Sequence, residues 1–270
     1  MKITNKIIDC ITFYSENFIF DFRYNVIKDH VDFLVVCESK FDHRGKPKQL
    51  NFDIEKYSKD KKIKYIILED KFPNNSDPWN NQALQRDYIL KNLPFADDED
   101  YIFFSDPDEI PNTKLYSNFK LKKKYGIFLQ KSFNYKFNLF NKYETPWNGT
   151  RVCKKKNLKS INYMRQKTFA KNLKYKFFRI DKERDIEIFP DGGWHFNNIM
   201  LPHQISKKLK SFAHSEYSGS EFSSTEIITR KIEQKKDLFN RGYEFEKVKL
   251  DSSFPEYLLN NKNFYKDFIL

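Results

Sequence analysis

Glycine is scarce in this chain of 270 residues: there are 7, and none forms G-x-G-x-x-G or the G-x-x-x-x-G-K phosphate loop. That argues against a dinucleotide-binding βαβ unit and against a P-loop nucleotidase. Cysteine is sparser still. Cys10, Cys37 and Cys153 lie far apart and match no zinc or C-x-x-C spacing, so they read as buried thiols in a reducing compartment. No apolar run approaches the ~18 residues of a membrane span. The start, Met1 to Lys6, lacks the apolar region of a signal peptide, and a cytoplasmic protein is expected. Aromatic residues are abundant, with 28 Phe and 16 Tyr making up most of the 17%, which rules out a disordered polyelectrolyte. The length suits one large domain or two small ones. With no internal repeat, low-complexity tract or linker, one continuous domain over 1–270 is expected.

The net charge of +12 is uneven. From Lys120 to Lys182 there are 19 Lys and Arg against two acids, Glu144 and Asp181, so this stretch carries +17 and the remainder −5. Just before it, residues 97–109 hold seven acids: Asp97, Asp98, Glu99, Asp100, Asp106, Asp108 and Glu109. An acidic centre followed by a basic, aromatic-rich stretch suggests a site for metal and anions beside an electropositive wall.

Residues 4–70 read as strand, helix, strand, strand. Lys6–Phe13 contains an apolar run, Glu16–Val31 is apolar at helical spacing, and Phe33–Cys37 is wholly apolar before polar Glu38 and Ser39; the last is the pattern of a buried parallel strand. Ile63–Leu68 repeats it, Asn80–Leu93 reads as a helix stopped by Pro94, and Tyr101–Phe104 is a further buried strand. Helices alternating with buried strands that end in polar groups indicate an α/β fold: a mostly parallel central sheet flanked by helices, with ligands at the strands' C-terminal ends. Ile127–Phe140 alternates as an antiparallel ribbon, Pro190-Asp191-Gly192-Gly193 reads as a turn, and Pro202–Ala213 and Thr225–Asn240 as two final helices.

Asp106-Pro107-Asp108, just past a buried strand, is the most informative feature. Two carboxylates two residues apart can turn toward one divalent cation when the chain leaves extended geometry. Such hard oxygen ligands suit Mg²⁺ or Mn²⁺, which keep positions open for diphosphate oxygens. The metal would then stabilise charge on a departing nucleoside diphosphate, as in sugar-nucleotide-dependent transferases that use a D-x-D motif. Glu109 is a further metal or sugar contact, or a solvated residue. Glu38, Arg44 and Lys46 follow a buried strand where a nucleotide commonly sits in such sheets. The two cations are candidates for diphosphate pairing, with a solvated basic loop as the alternative. Arg86 reaches either the diphosphate or Asp106. Trp79 and Trp147 are candidates for stacking on sugar rings, although both follow proline and read better as loop anchors.

Ordered blocks across residues 8–240 make the chain resemble glycosyltransferase family 17. They are Phe13-Tyr14-Ser15-Glu16, Val35–Ser39, His43–Lys48, Pro78-Trp79 and Gln85-Arg86-Asp87, then Ser105–Pro111, Gly193-Trp194-His195-Phe196 and Ser211–Glu216. The resemblance implies a GT-A-like fold, a UDP-sugar donor (UDP-N-acetylglucosamine in the eukaryotic members), a divalent metal and inversion at the anomeric carbon. It implies a nucleotide-sugar-binding half over 1–111 and an acceptor-side half over 112–270. Asp106 and Asp108 become candidate metal ligands, with His195 or His214 as a third. Arg86 and Asp106, with Glu16, Glu38, Arg44, Lys46 and Trp194, become candidates for the donor site. An inverting transfer needs a base, for which Glu216, Asp191 and Glu109 are eligible; Glu216 is favoured because it follows His214 in the same block. The chain lacks the N-terminal anchor of the Golgi members, so their location and N-glycan acceptor are not carried over. The acceptor is expected to be a glycan or lipid-linked glycan, with 120–182 facing an anionic acceptor or the surface of an anionic membrane. Two other classes compete: a basic nucleic-acid-binding protein, for which no recognition signature is present, and a metal-dependent phosphoryl-transfer enzyme or nuclease using Asp106 and Asp108. No nucleic-acid partner is expected.

Overall fold

Apolar runs of four or five residues cannot leave either face in water, and the chain covers both faces of each. The computed structural model describes residues 5–74, 76–176, 178–211 and 219–270. The chain opens with β1 (Ile7–Phe13), α1 (Asn17–Ile27), β2 (Phe33–Ser39), β3 (Ile63–Leu68), α2 (Pro78–Lys91), β4 (Tyr101–Ser105) and β5 (Glu109–Pro111). It continues with β6 (Tyr125–Asn134), β7 (Leu139–Phe140), β8 (Trp147–Lys154), α3 (Ile161–Lys167) and β9 (Ile186–Asn197). The last elements are α4 (Pro202–Ser211), α5 (Ser220–Ser223), α6 (Thr225–Glu233), β10 (Glu246–Lys247) and α7 (Glu256–Asn260). The fold is mixed α/β, with a central, mostly parallel sheet flanked by helices. By contact density the chain divides into two units of interleaved segments, Met1–Leu129 with Asn148–Gly193, and Gln130–Trp147 with Trp194–Leu270.

In the first unit the strands run in the order β6, β8, β4, β1, β2, β3. The four from β4 to β3 are parallel, with Ile8 opposite Phe33, Ile11 opposite Ser105 and Leu34 opposite Ile63. β8 pairs antiparallel to β4, placing Arg151 opposite Phe104. Alternate side chains fill two cores. Cys10, Val35, Cys37, Ile102 and Phe104 pack with Ile89 of α2 and Ile161 and Met164 of α3. Ile11, Phe13, Leu34, Val36 and Phe103 pack with Phe20 and Ile27 of α1. Apolar burial on both faces is what a parallel sheet requires. The three thiols are free and buried, and burial pushes Cys37 and Cys153 up to about 12, so they behave as small hydrophobes.

α2 starts two residues earlier than the apolar spacing suggests, because Asp77 accepts a hydrogen bond from the Trp79 N–H at 3.0 Å and Pro78 occupies the first helical position. It ends before Leu93, whose helical conformation the following Pro94 disfavours. The Pro-Asp-Gly-Gly turn is corrected: residues 190–193 lie inside β9. The two glycines serve close backbone approach there. A Cβ on Gly192 would lie 2.6 Å from the Phe128 Cα, and one on Gly193, at φ +132°, would lie 2.1 Å from the Ile110 oxygen.

The second unit holds the β6 end, β7 and β10 paired antiparallel, with Lys247 opposite Leu139. Ile205 and Leu209 of α4 and Ile228 and Ile232 of α6 pack with Tyr135 and Leu139. α6 stops at Glu233, short of the expected Asn240, because Lys235 takes φ +58° and leaves the helix.

Beneath the first unit's sheet edge sits a fully buried ion pair. Arg23 of α1 donates to both Asp9 oxygens of β1 at 2.6, 2.7 and 3.1 Å, to Ser105 Oγ at 3.2 Å and to the Glu109 carbonyl. Removing one member of such a pair strands the other charge in the core. Arg23→Met is therefore expected to cost about 3–5 kcal/mol in urea unfolding, whereas Arg23→Met combined with Asp9→Leu should recover most of that loss. A single variant as stable as wild type would show that the pair does not hold the fold.

Candidate functional site

Three parallel strands end at one edge: β1 at Phe13, β2 at Ser39 and β4 at Ser105. Ligands of open α/β sheets bind outside such carboxyl ends. One turn of α2 closes over this edge. Gln85 donates to the Cys37 carbonyl at 2.9 Å and the Phe13 carbonyl at 3.4 Å, and its oxygen lies 3.0 Å from His43 Nε2. Asp87 accepts from the Asn162 N–H at 2.7 Å and so anchors α3. Between them Arg86 meets Asp106 at 3.4 Å, through one nitrogen and so short of a two-pronged contact.

The acidic residues leave β4 in a tight turn. The Glu109 N–H donates to the Asp106 carbonyl at 3.0 Å, while the Asp106 N–H donates to Glu109 Oε2 at 3.1 Å. Arg165 of α3 spans the turn, donating to Asp106 at 2.6 Å and to Glu109 Oε1 at 2.7 Å. Its other nitrogen donates to the Asn148 carbonyl at 3.1 Å. Burial alone would lower the Arg165 pKa, but the Asp106 and Glu109 carboxylates outweigh it and raise it above the usual range. Arg151 of β8 is fully buried nearby, donating to the Thr168 carbonyl at 3.0 Å and to the Asn148 and Gly149 carbonyls. Burial pushes its pKa down. Three guanidinium groups, Arg86, Arg151 and Arg165, thus accompany the three carboxylates of the 106–109 turn.

The candidate residues fall into distinct places. Glu109 is fully buried, and its contacts make it a brace of the turn. Asp106 is partly exposed between two arginines, and Asp108 is half-buried at the same turn. Asp191 is exposed on β9 at φ +50°. β9 pairs with β5, and the Asp191 carbonyl accepts from Asn112 Nδ2 at 3.0 Å, beyond the end of β5. Glu38 is buried at the end of β2, accepting from Tyr65 Oη at 2.7 Å, from the Asn51 and Phe52 N–H groups at 2.7 and 3.0 Å, and from Lys48. It fastens the 48–52 segment to the sheet. Glu16 accepts from the Tyr14 and Ser15 N–H groups, both at 2.9 Å, and closes the turn into α1. Arg44 and Lys46 are exposed in a loop that Asp42 closes by accepting from both of their N–H groups at 2.9 and 2.8 Å.

Trp194 and His195 belong to the second unit. Trp194 donates to the Ser253 carbonyl at 3.1 Å. His195 is buried, stacked on Trp147 at 4.5 Å between ring centres, with Nδ1 3.4 Å from Ser132 Oγ. That stack anchors Trp147, whereas Trp79 is 55% exposed on α2. His214 and Glu216 lie outside the described residues.

Sequence reading missed Arg23, Gln85, Arg151 and Arg165 as parts of the site. Arg151 and Arg165 are hidden among the basic residues of 120–182, although one signal was present: that stretch contains just three arginines, Arg151, Arg165 and Arg179, and arginine's planar fork suits buried bridging better than lysine's point charge. The same geometry corrects the idea of one continuous basic face. Lys154 and Lys156 pair with Glu99, Lys155 donates to the Leu93 and Ala96 carbonyls, and Arg151 and Arg165 are internal.

His43 gives the edge a pH dependence. Its burial holds its pKa below the ordinary value of 6.5, against the opposing hydrogen bond to the Gln85 oxygen. The unfolded chain therefore binds the proton more readily, and the neutral ring's contribution is complete above about pH 6.5 and declines as acid protonates it. His43→Asn should flatten the fall in Tm between about pH 7 and pH 5 relative to wild type. Parallel curves for the two proteins would remove His43 from the account.

Over residues 1–268 the chain matches the family model described as Glycosyltransferase family 17. No curated protein matches the chain. Among solved structures it is similar to the glucosyl-3-phosphoglycerate synthase of M. tuberculosis, with 11% identity, a TM-score of 0.40, and coverage of 96% of this chain and 93% of that one. It is similar also to a 4-diphosphocytidyl-2C-methyl-D-erythritol synthase, at 13% identity and TM-score 0.34 over 57% of this chain and 77% of that one. A third is a glycosyltransferase involved in glycosylation of the major capsid of PBCV-1, at 11% identity and TM-score 0.31 over 69% and 82%.

Proposed function

The chain belongs to glycosyltransferase family 17, and from that premise we propose that it moves N-acetylglucosamine from a UDP-sugar, with inversion, to a hydroxyl of a glycan or lipid-linked glycan. The observation that carries the reading is the 106–109 turn, held by Arg165 at the C-terminal edge of the parallel sheet. A carboxylate turn fixed there gives a donor diphosphate a defined place to dock.

A divalent cation, Mn²⁺ or Mg²⁺, belongs to this proposal. Among the described residues no group of three His, Cys, Asp or Glu side chains is arranged to hold one. A cation of this kind keeps several waters and takes further oxygens from substrate phosphates, so one or two carboxylates suffice. Asp108, half-buried at the turn, fits as that ligand, while Asp106 is shared with Arg165 and Arg86. Charge supports the same reading. Arg86, Arg151 and Arg165 balance Asp106, Asp108 and Glu109, so a diphosphate entering without its own cation would be left uncompensated. When bound, the cation would neutralise charge on the leaving diphosphate.

The protein's own groups then have separate tasks. Glu109 and Arg165 keep the turn in shape, and Gln85 holds the ends of β1 and β2 beside it. Asp191, whose exposure on β9 leaves its carboxylate open to solvent, and Glu216 are the carboxylates proposed to take the proton of the acceptor hydroxyl.

Turnover of UDP-N-acetylglucosamine with Mn²⁺ tests the proposal. Asp108→Ala should reduce donor hydrolysis by about 100-fold or more, equivalent to about 2.7 kcal/mol of lost transition-state stabilisation. Asp191→Asn should spare donor binding and slow transfer to an acceptor. If UDP-sugars neither bind nor turn over, and Asp108→Ala changes nothing, the reading fails.

A further inference from the structure

Residues 171–182 carry a combination that the candidate site does not use. Ile180 is 96% exposed, Phe178 61% and Leu173 41%. These three apolar side chains fall within eight positions, interleaved with Lys171, Lys174, Lys176, Arg179 and Lys182. Asp181 is the segment's single acid, and it is satisfied locally by Arg179 at 2.7 and 2.8 Å and by Lys182 at 3.3 Å. The base of the loop is pinned. Asn172 is buried and donates to the Lys167 carbonyl at 2.7 Å and to the Glu183 carbonyl at 3.0 Å, tying the two ends together. Leu173, Phe178 and Ile180 are therefore exposed within a segment whose ends are joined.

We propose that the 171–182 loop docks the protein on an anionic lipid bilayer, with Leu173, Phe178 and Ile180 entering the interfacial region and the flanking lysines meeting lipid phosphates. Exposed apolar side chains rimmed by cations match such a surface in both respects: the apolar groups leave water, and the positive charges meet the negative surface potential. A nucleic acid would reward only the cations and the aromatic rings, because aliphatic Ile180 and Leu173 cannot stack on bases as rings do. This inference goes beyond the transferase reading and stands independently of it, since bilayer binding is read without donor or acceptor.

Co-sedimentation with phosphatidylcholine vesicles, with and without phosphatidylglycerol, is the test. Wild type should sediment with the phosphatidylglycerol vesicles and remain in solution with phosphatidylcholine alone. Phe178→Ser with Ile180→Ser leaves the charge unchanged and should weaken binding by about tenfold, the effect of removing buried apolar contacts. Lys174→Glu with Lys176→Glu should abolish it. An Ile180→Trp variant should shift its fluorescence to the blue on adding the anionic vesicles. All these positions are exposed, so donor hydrolysis and Tm should match wild type, which separates failure of docking from failure of the transferase reading. The proposal is overturned if wild type does not sediment, if the double serine variant binds as well as wild type, or if a polynucleotide competes while the emission of the Ile180→Trp variant shows no blue shift.

Discussion

Burying a guanidinium away from water is costly unless its nitrogens find partners, and each nitrogen of Arg23 finds one by joining parts of the chain that are far apart in sequence. Its fork takes the Asp9 carboxylate in the middle of β1, the Ser105 hydroxyl at the end of β4 and the Glu109 carbonyl beyond it. Ser105 in turn lies 2.8 Å from the Thr150 hydroxyl of β8. The acidic turn is therefore tied to the sheet from beneath, on the side covered by α1. Arg165 approaches from α3, whose Ile161 and Met164 belong to the core on the opposite face. Two helices packed on opposite faces thus converge on one turn. Neither ion pair can relax without exposing or stranding charge, and this is how an apolar sheet transmits its rigidity to a polar site.

The basic residues divide along the same line. The chain has 40 lysines and 9 arginines, and Arg23, Arg86, Arg151 and Arg165 are buried around this network, whereas no lysine is buried among the described residues. The chemistry explains the partition. A rigid, weakly hydrated fork can satisfy several acceptors at once in the interior; an ammonium group is strongly hydrated and stays at the surface on a flexible stem. Net charge therefore says little about the site and more about the exterior, where the lysines of 171–176 and their apolar neighbours lie.

Much of the fold was legible because apolar runs have few places to go. Ile63–Leu68 forms a strand over the residues its pattern predicts, and β1, β2 and β4 follow theirs to within a residue or two. The acidic motif was visible as well, since D-x-D after a buried strand is a local pattern. Its supports were not. Arg165 lies 59 residues from Asp106 and 56 from Glu109, and beyond the choice of arginine over lysine nothing in Met164-Arg165-Gln166 distinguishes an internal bridge from a surface cation. The Pro-Asp-Gly-Gly segment failed for a different reason. Glycine marks either a turn or a backbone that another strand must approach closely, and only the neighbours Phe128 and Ile110 decide between them. Glu38 shows the same limit: a carboxylate at a strand's C-terminal end reads as a ligand contact until its acceptor positions are found occupied by Tyr65, Lys48 and the 51–52 backbone.

The three carboxylates of the acidic turn consequently cannot be equivalent. Glu109 has no contact with water, and its oxygens are held by Arg165 and the Asp106 N–H; its charge is part of the scaffold. Asp106 is partly exposed but lies between two guanidinium groups, so approach of a cation there meets Arg165 and Arg86. Asp108 is half-buried two residues on, past the proline that prevents the turn from continuing as a helix. A buried acid supports a shared acid, and the shared acid fixes the backbone that presents the third. Burial therefore separates Glu109 from the two aspartates, and the reciprocal contacts of Asp106 and Glu109 fix the backbone on which Asp108 lies.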